Sequence, residues 1–425
     1  MRPLPPLPDW VNLEHKVATI LAKQEQHGWY FDERAARELA STLYQELSDL
    51  EKSIRQRHPN VGGATFTPKR DNKTSGYIKG ATFTRLKETN PTSRDHISWI
   101  LQWHYGWTPI QMTTTGKPVI DEVILTEIGS EISTMFARCL TVTKMLGMLS
   151  NGVNAWLKLS TTSSRIHHHC SIATATHRAS HRKPNLSQVP HEDEFRRLFT
   201  ATPGLVMVGA DLSGIELRML AHYLSRWSNE FRDTLLHGDI HQVNADKVGV
   251  SRRQIKTITY AWCYGAANEK IGLSFDPGLS SNEAKKKGKE IREAFVKAIP
   301  GMPELIQAIE KKAKLGYMVA IDGRKITFDS PHKALNYLLQ SSAGVISRRW
   351  LLMANDLIKE NELHKLCAQQ LAYIHDELQF ECAPEHKDQL KFILEYAATT
   401  AGEYYNLRLP IAAEAKSGNN WAEVH

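Results

Sequence analysis

The 425-residue chain is 41% hydrophobic and 23% charged, enough for a substantial core in two or three ordinary domains or one multi-lobed enzyme. Five cysteines without a CxxC pair argue against a disulfide framework or zinc site, and no apolar run of about 18 residues marks a membrane helix. The net charge of +7 favours a polyanionic partner, and with no signal-peptide core at the start the chain reads as soluble and cytoplasmic.

Residues 1–10 are Pro-rich and read as an extended arm. From Val11 to about Gln56, apolar residues recur at three- and four-residue steps (Val17, Ile20, Leu21; Leu39, Leu43, Leu47, Leu50), which predicts two helices separated at Gly28. Between Lys52 and Lys87 the composition shifts to nine basic residues against one acid, Asp71. Within that stretch Gly63-Ala64-Thr65-Phe66-Thr67 repeats as Gly80-Ala81-Thr82-Phe83-Thr84, and turn residues lie between the copies. A basic β-hairpin is expected, either gripping DNA or docking a partner, with a solvated loop as the plainer alternative. Helical patterning returns from about Ser93 to Lys158 and includes Trp99, Trp103 and Trp107, read as packing residues in preference to a base-stacking ladder.

Short strands are expected around Arg165–Ala173, Val206–Asp211, Met318–Phe328 and Gln370–Glu381. Helices are expected at 213–227, 240–250, 252–266, 282–316, 332–360 and 386–404, giving an α+β core with helical lobes. The run His167-His168-His169-Cys170 reads as a structural or DNA-facing strand rather than a metal site, because neighbours on a strand face opposite ways.

The chemistry begins at Val206-Met207-Val208-Gly209-Ala210-Asp211, an apolar strand ending in a carboxylate. Asp376 and Glu377 interrupt a second apolar pattern, Leu371 to Phe380. Carboxylates at strand ends usually hold a cation, and phosphoryl transfer uses such pairs to bridge two Mg²⁺ ions about 4 Å apart. In Ser251 to Gly265, the residues Arg252, Lys256, Tyr260 and Tyr264 fall four apart and share one helical face: two cations for a triphosphate, then two rings for base and sugar.

Together these resemble the three polymerase motifs of the DNA polymerase I family (family A): Asp-Leu-Ser-Gly-Ile-Glu-Leu-Arg at 211–218, the helix from Arg252 to Gly265, and His-Asp-Glu at 375–377. The resemblance extends to Thr176-His177-Arg178, Pro184 to Pro190, Gly238-Asp239-Ile240-His241, Asn336-x3-Gln340 and the ending 418–425, and is nearest to the replicative polymerases of T-odd bacteriophages. It implies a right-hand fold with an antiparallel-sheet palm at 161–225 and 318–425, helical fingers at 226–317, and a mostly helical thumb at 11–160 carrying the basic insertion 52–87.

The same resemblance implies template-directed addition of dNTPs to a primer 3′-hydroxyl, with two Mg²⁺ ions as cofactors (Mn²⁺ as substitute) and pyrophosphate released. Asp211, Asp376 and the Leu212 carbonyl become the metal ligands, with Glu377 as a supporting acid. Arg252, Lys256 and His241 take the triphosphate, and Lys256 protonates the leaving pyrophosphate. Tyr264 stacks on the nascent pair, Tyr260 permits dideoxynucleotide use, and Glu216 gates against the ribose 2′-hydroxyl. Arg178, Asn336, Gln340 and His375, with Lys69, Arg70 and Lys73 of the insertion, become DNA contacts. His177 stands where the family usually carries Gly. With the first thumb helix so near residue 1, no proofreading domain is expected, so a monomer with a separate exonuclease or processivity factor as partner is the reading. The bulky gate argues against an RNA polymerase, and the full catalytic set argues against a silent scaffold.

Overall fold

The apolar run Val206-Met207-Val208-Gly209-Ala210 becomes an inner strand of a four-stranded antiparallel sheet. The computed structural model describes residues 6–276, 278–366 and 368–425. In it the sheet runs in the order Gln369–Ile374, Glu377–Cys382, Val206–Leu212, Ala413–Gly418. Val206–Leu212 is paired on both sides: Asp211 lies opposite Glu377 on one neighbour and Glu414 on the other. Gly209 is required at its centre, since a Cβ there would meet the Gln379 side chain at 2.6 Å and the Val424 carbonyl at 2.7 Å.

Two compact units form: residues 36–158, and residues 1–35 with 159–425. The Asp9–His27 helix belongs with the sheet, burying Leu13, Val17, Ile20 and Leu21 in its core. Its Glu14 also pairs with Arg324 and Arg348, two nearly buried guanidiniums whose charge demands a carboxylate. The long Ala334–Glu360 helix covers the sheet unit's centre beside Lys387–Tyr404, fixed by Trp350 Nε1 donating to the Leu394 carbonyl at 2.7 Å.

Three expected elements resolve differently. The helix read over 282–316 is two, Ser281–Ala298 and Met302–Ala313, because Gly301 turns left-handed (φ +86°) just after Pro300. The strand read at Met318–Phe328 is a small hairpin, Tyr317–Val319 with Lys325–Thr327. The pattern at Gln370–Glu381 is also a hairpin, closed by His375-Asp376, so Asp376 sits on the turn rather than within a strand. His375 takes φ +58° at the first turn position, where glycine is usual.

In the 36–158 unit, most of the Glu33–Arg57 helix joins Arg94–Tyr105, Glu122–Ile128 and Glu131–Leu146 around Ile54, Val61, Ile97, Ile100, Leu101 and Phe136. The repeat folds as the expected antiparallel hairpin, Asn60–Phe66 with Phe83–Glu88, and the two copies meet at Thr65–Thr84 and Phe66–Phe83. The packing reading holds for Trp99 and Trp107, which lie against this core, although Gly106 (φ +66°) ends the helix before Trp107; it fails for Trp103, which is 73% exposed.

Candidate active site

Asp211 ends one strand, Asp376 sits on the neighbouring turn, and the Leu212 N–H donates to the Asp376 carbonyl at 3.0 Å. Burial, reinforced by Glu377, pushes the Asp211 carboxyl up to about 6. Asp376 is pushed to about 7 by burial and then by Glu216 and Asp211. Burial and the neighbouring carboxylates thus raise both groups, against Arg178, which lowers Asp376. An all-oxygen pair of this kind suits a hard dication. Among the described residues no three His, Cys, Asp or Glu side chains group tightly enough to hold a metal by themselves. The pair fits an Mg²⁺ that takes one or two carboxylates and completes its shell with phosphate oxygens and water.

Glu377 is held rather than free. Its Oε1 accepts from Trp421 Nε1 at 2.6 Å and Gln379 Nε2 at 2.5 Å, and His425 Nδ1 lies 3.3 Å away. The sequence reading missed Gln379 and Trp421 as supports, although a glutamine inside an otherwise apolar strand was a visible signal. A cleft of about 320 Å³ opens beside Asp211, Glu377, Glu414, Lys416 and His425.

The expected helix 252–266 runs Arg252–Cys263, started by a capping box between Ser251 and Gln254. Tyr264 is its C-cap and is 41% exposed. Arg252 reaches Asp239 at 2.7 Å, the residue that caps the Ile240–Val248 helix and that sequence reasoning did not place in the site. Lys256 is exposed, and Tyr260 lies 6.0 Å, ring to ring, from the nearly buried His241. Burial, followed by Arg252 and Lys256, lowers the His241 pKa. Asn336 is half-buried, and its Nδ2 donates to the Cys263 carbonyl at 2.6 Å, which anchors the end of the helix. Gln340 is half-buried on the Ala334–Glu360 helix.

Glu216, 5% exposed, joins the two groups of residues. It accepts from Arg178 Nη2 at 2.6 Å and from the Tyr264 hydroxyl at 2.8 Å. Arg178 is placed by His177, which adopts φ +59° and so keeps the glycine-like backbone with a side chain present. His177 Nδ1 bonds Ser341 Oγ, and its carbonyl accepts from Arg348 Nη2 at 2.7 Å. His375 is half-buried, and its carbonyl accepts from Ser347 Oγ at 2.7 Å. The histidine run serves structure, as expected: His168 is fully buried against Gln24, and His169 bonds Glu25. Lys69, Arg70 and Lys73 lie exposed on the other unit.

This arrangement belongs to a known group, since the DNA polymerase family A model matches residues 71–423. The chain is a member of DNA polymerase family A. It is 31% identical to the DNA-directed DNA polymerase of Enterobacteria phage T3 and to that of Escherichia phage T7, over 98% of this chain and 70% of each relative. Its fold is similar to that of the polymerase domain of Pol1 from M. smegmatis, solved with DNA primer-template and dNTP, with TM-score 0.77, 21% identity, 96% of this chain and 70% of that chain covered. The family A member is thus a DNA-directed DNA polymerase with an α+β polymerase fold. Among the described residues no helix is long and apolar enough to cross a membrane.

Proposed function

We propose that this polymerase joins dNTPs to a primer 3′-hydroxyl by two-metal phosphoryl transfer, with Asp211, Asp376 and the Leu212 carbonyl as the ligands. The observation that carries this reading is the placement of the two carboxylates: Asp211 near the end of one strand and Asp376 on the turn of the adjacent hairpin, tied by the Leu212 N–H donating to the Asp376 carbonyl at 3.0 Å. The bound ions would activate the primer oxygen and neutralise charge on the phosphates. The primer 3′-oxygen gives its proton to solvent water and attacks the α-phosphorus as the bond to pyrophosphate breaks. Arg252, Lys256 and His241 bind the triphosphate, and Lys256 gives pyrophosphate a proton as it leaves. Arg252 must exchange Asp239 for phosphate to do so, a trade between two anions. Tyr264 stacks on the new pair, Tyr260 lies along the sugar, and Glu216 fills the space of a 2′-hydroxyl. Arg178, Gln340 and His375 test the primer terminus from the minor groove, where acceptors lie at similar places in every pair. Asn336 contributes by fixing the helix end.

Primer extension by the purified chain with Mg²⁺ and dNTPs, beside Asp376→Ala, tests this. Template-directed extension that disappears in the variant supports the two-ion reading; retention in the variant overturns it. The same assay on a primer with a mismatched 3′ end tests the expected absence of proofreading, which release of the mismatched nucleotide would refute. Deleting 60–84 should shorten products while single-nucleotide addition persists, as expected of a hairpin that grips DNA or docks a processivity factor.

A further inference from the structure

The helix Arg94–Tyr105 carries an indole that the fold leaves uncovered. Trp103 is 73% exposed and stacks on Trp99, with ring centroids 5.8 Å apart and planes 28° from parallel. Trp99 lies in turn on the bare backbone of Gly62, where a Cβ would come within 2.9 Å of its Nε1. Gly62 pairs with Leu86 on the hairpin, and the Lys87 stem crosses the adjacent Gly63. The indole pair therefore stands at the base of the basic ribbon.

The ribbon itself interleaves cations with rings. Phe66, Tyr77 and Phe83 contact one another at centroid distances of 5.0, 4.9 and 6.0 Å, and Arg85 lies over Phe66. Among the described residues, no ion pair engages Lys69, Arg70, Lys73, Lys79 or Lys87. Asp71, the one acid of the stretch, accepts instead from the Lys79 backbone N–H at 2.7 Å. The exposed apolar side chains here, Ile78, Leu86 and Trp103, stand among the exposed cations Lys69, Arg70, Lys73, Lys79 and Lys87. Isolated rings beside unpaired cations suit a strand of bases and phosphates. In a duplex the base faces are already stacked, so exposed rings of this kind favour the unpaired strand.

We propose that single-stranded DNA lies along this ribbon, with a base stacked on Trp103 and phosphates on Lys69, Arg70, Lys73, Lys79 and Lys87. The proposal deepens the reading of the hairpin as a DNA grip and rests on it. Binding of the full chain to fluorescein-labelled oligo(dT) and to a blunt duplex, followed by anisotropy across a salt series, tests it. Trp103→Ala should weaken oligo(dT) binding about five- to a hundredfold while leaving duplex binding and the salt slope alone; Trp103→Phe should recover most of the loss. The triple variant Lys69→Ala, Arg70→Ala, Lys73→Ala should instead lower the salt slope by about 2. Wild-type affinity in Trp103→Ala, with the triple variant impaired, overturns the stacking site and leaves the grip standing. Wild-type behaviour of both variants overturns the grip as well. Equal weakening on the blunt duplex overturns the preference for single strands.

Discussion

The Tyr264 hydroxyl donates to Glu216 at 2.8 Å, on the same carboxylate oxygen that accepts from Arg178 at 2.6 Å. If Tyr264 must leave this position for a nucleotide to pair, the bond is part of the cost of closing. A hydrogen bond to a charged group is worth about 1.5–3 kcal/mol. Tyr264→Phe keeps the ring and removes the bond, so the apparent Kd for the correct dNTP should fall about tenfold. Single-turnover titration with the matched dNTP reads this, and an unchanged Kd would show that the contact does not oppose closure.

Glu216→Ala opens the space assigned to the 2′-hydroxyl. The ratio of kcat/KM for dNTP over rNTP should drop roughly a hundredfold. The variant should also be less stable by about 3 kcal/mol, because Arg178 loses a nearly buried partner. Parallel rNTP and dNTP kinetics with a thermal melt measure both. Unchanged sugar selectivity would remove Glu216 from the gate.

Tyr260→Phe should raise discrimination against dideoxynucleotides by about tenfold or more, as expected for loss of a single hydrogen bond near the sugar. Chain-termination titrations against matched dNTP decide it. Strong discrimination already present in the unaltered protein would sink the assignment.

His168 and His181 are buried, and burial lowers each to about 3. An unfolded histidine protonates near 6.5. Between those values the unfolded chain binds more protons than the folded one, so stability is full above about 6.5 and declines as the pH falls toward 3. Each ring contributes up to about 1.4 kcal/mol per pH unit to that slope. Denaturant midpoints from pH 7 to pH 4.5 should fall more gently for His181→Phe than for the unaltered chain.

Gly344 allows the Ala334–Glu360 helix to touch the turn that carries Arg178: a Cβ there would lie 2.4 Å from the His177 carbonyl. Gly344→Ala should cost about 2 kcal/mol of stability and reduce primer extension by shifting Arg178. His177→Gly, which suits φ +59°, should leave extension largely intact. Equal damage from both changes would mean that the His177 side chain, through Ser341, matters more than the backbone path.

Much of this was legible because the chemistry interrupts strong patterns. Asp211 follows an apolar strand, and the four-residue spacing of Arg252, Lys256, Tyr260 and Tyr264 needs only helical geometry to be read. Family likeness supplied the roles that spacing cannot. What escaped depends on tertiary contact. Asp376 looked like a strand interior because His375 turns at φ +58° without a glycine to announce it. The exposure of Trp103 and the seat of Trp99 on Gly62 depend on tertiary packing, which the spacing of three tryptophans does not show. The supports of Glu377 and the place of the Asp9–His27 helix likewise come from residues distant in sequence.

The double pairing of Val206–Leu212 has a consequence for how the molecule is made. Both of its partners, Glu377–Cys382 and Ala413–Gly418, follow it by more than 150 residues. During synthesis on a ribosome, the strand bearing Asp211 must wait with both edges unpaired until residues 377–418 emerge. Pairing over such separations is slow and leaves strand edges open to wrong partners. Synthesis interrupted between residues 213 and 376 would thus release chains that carry Asp211 but have no sheet to hold it.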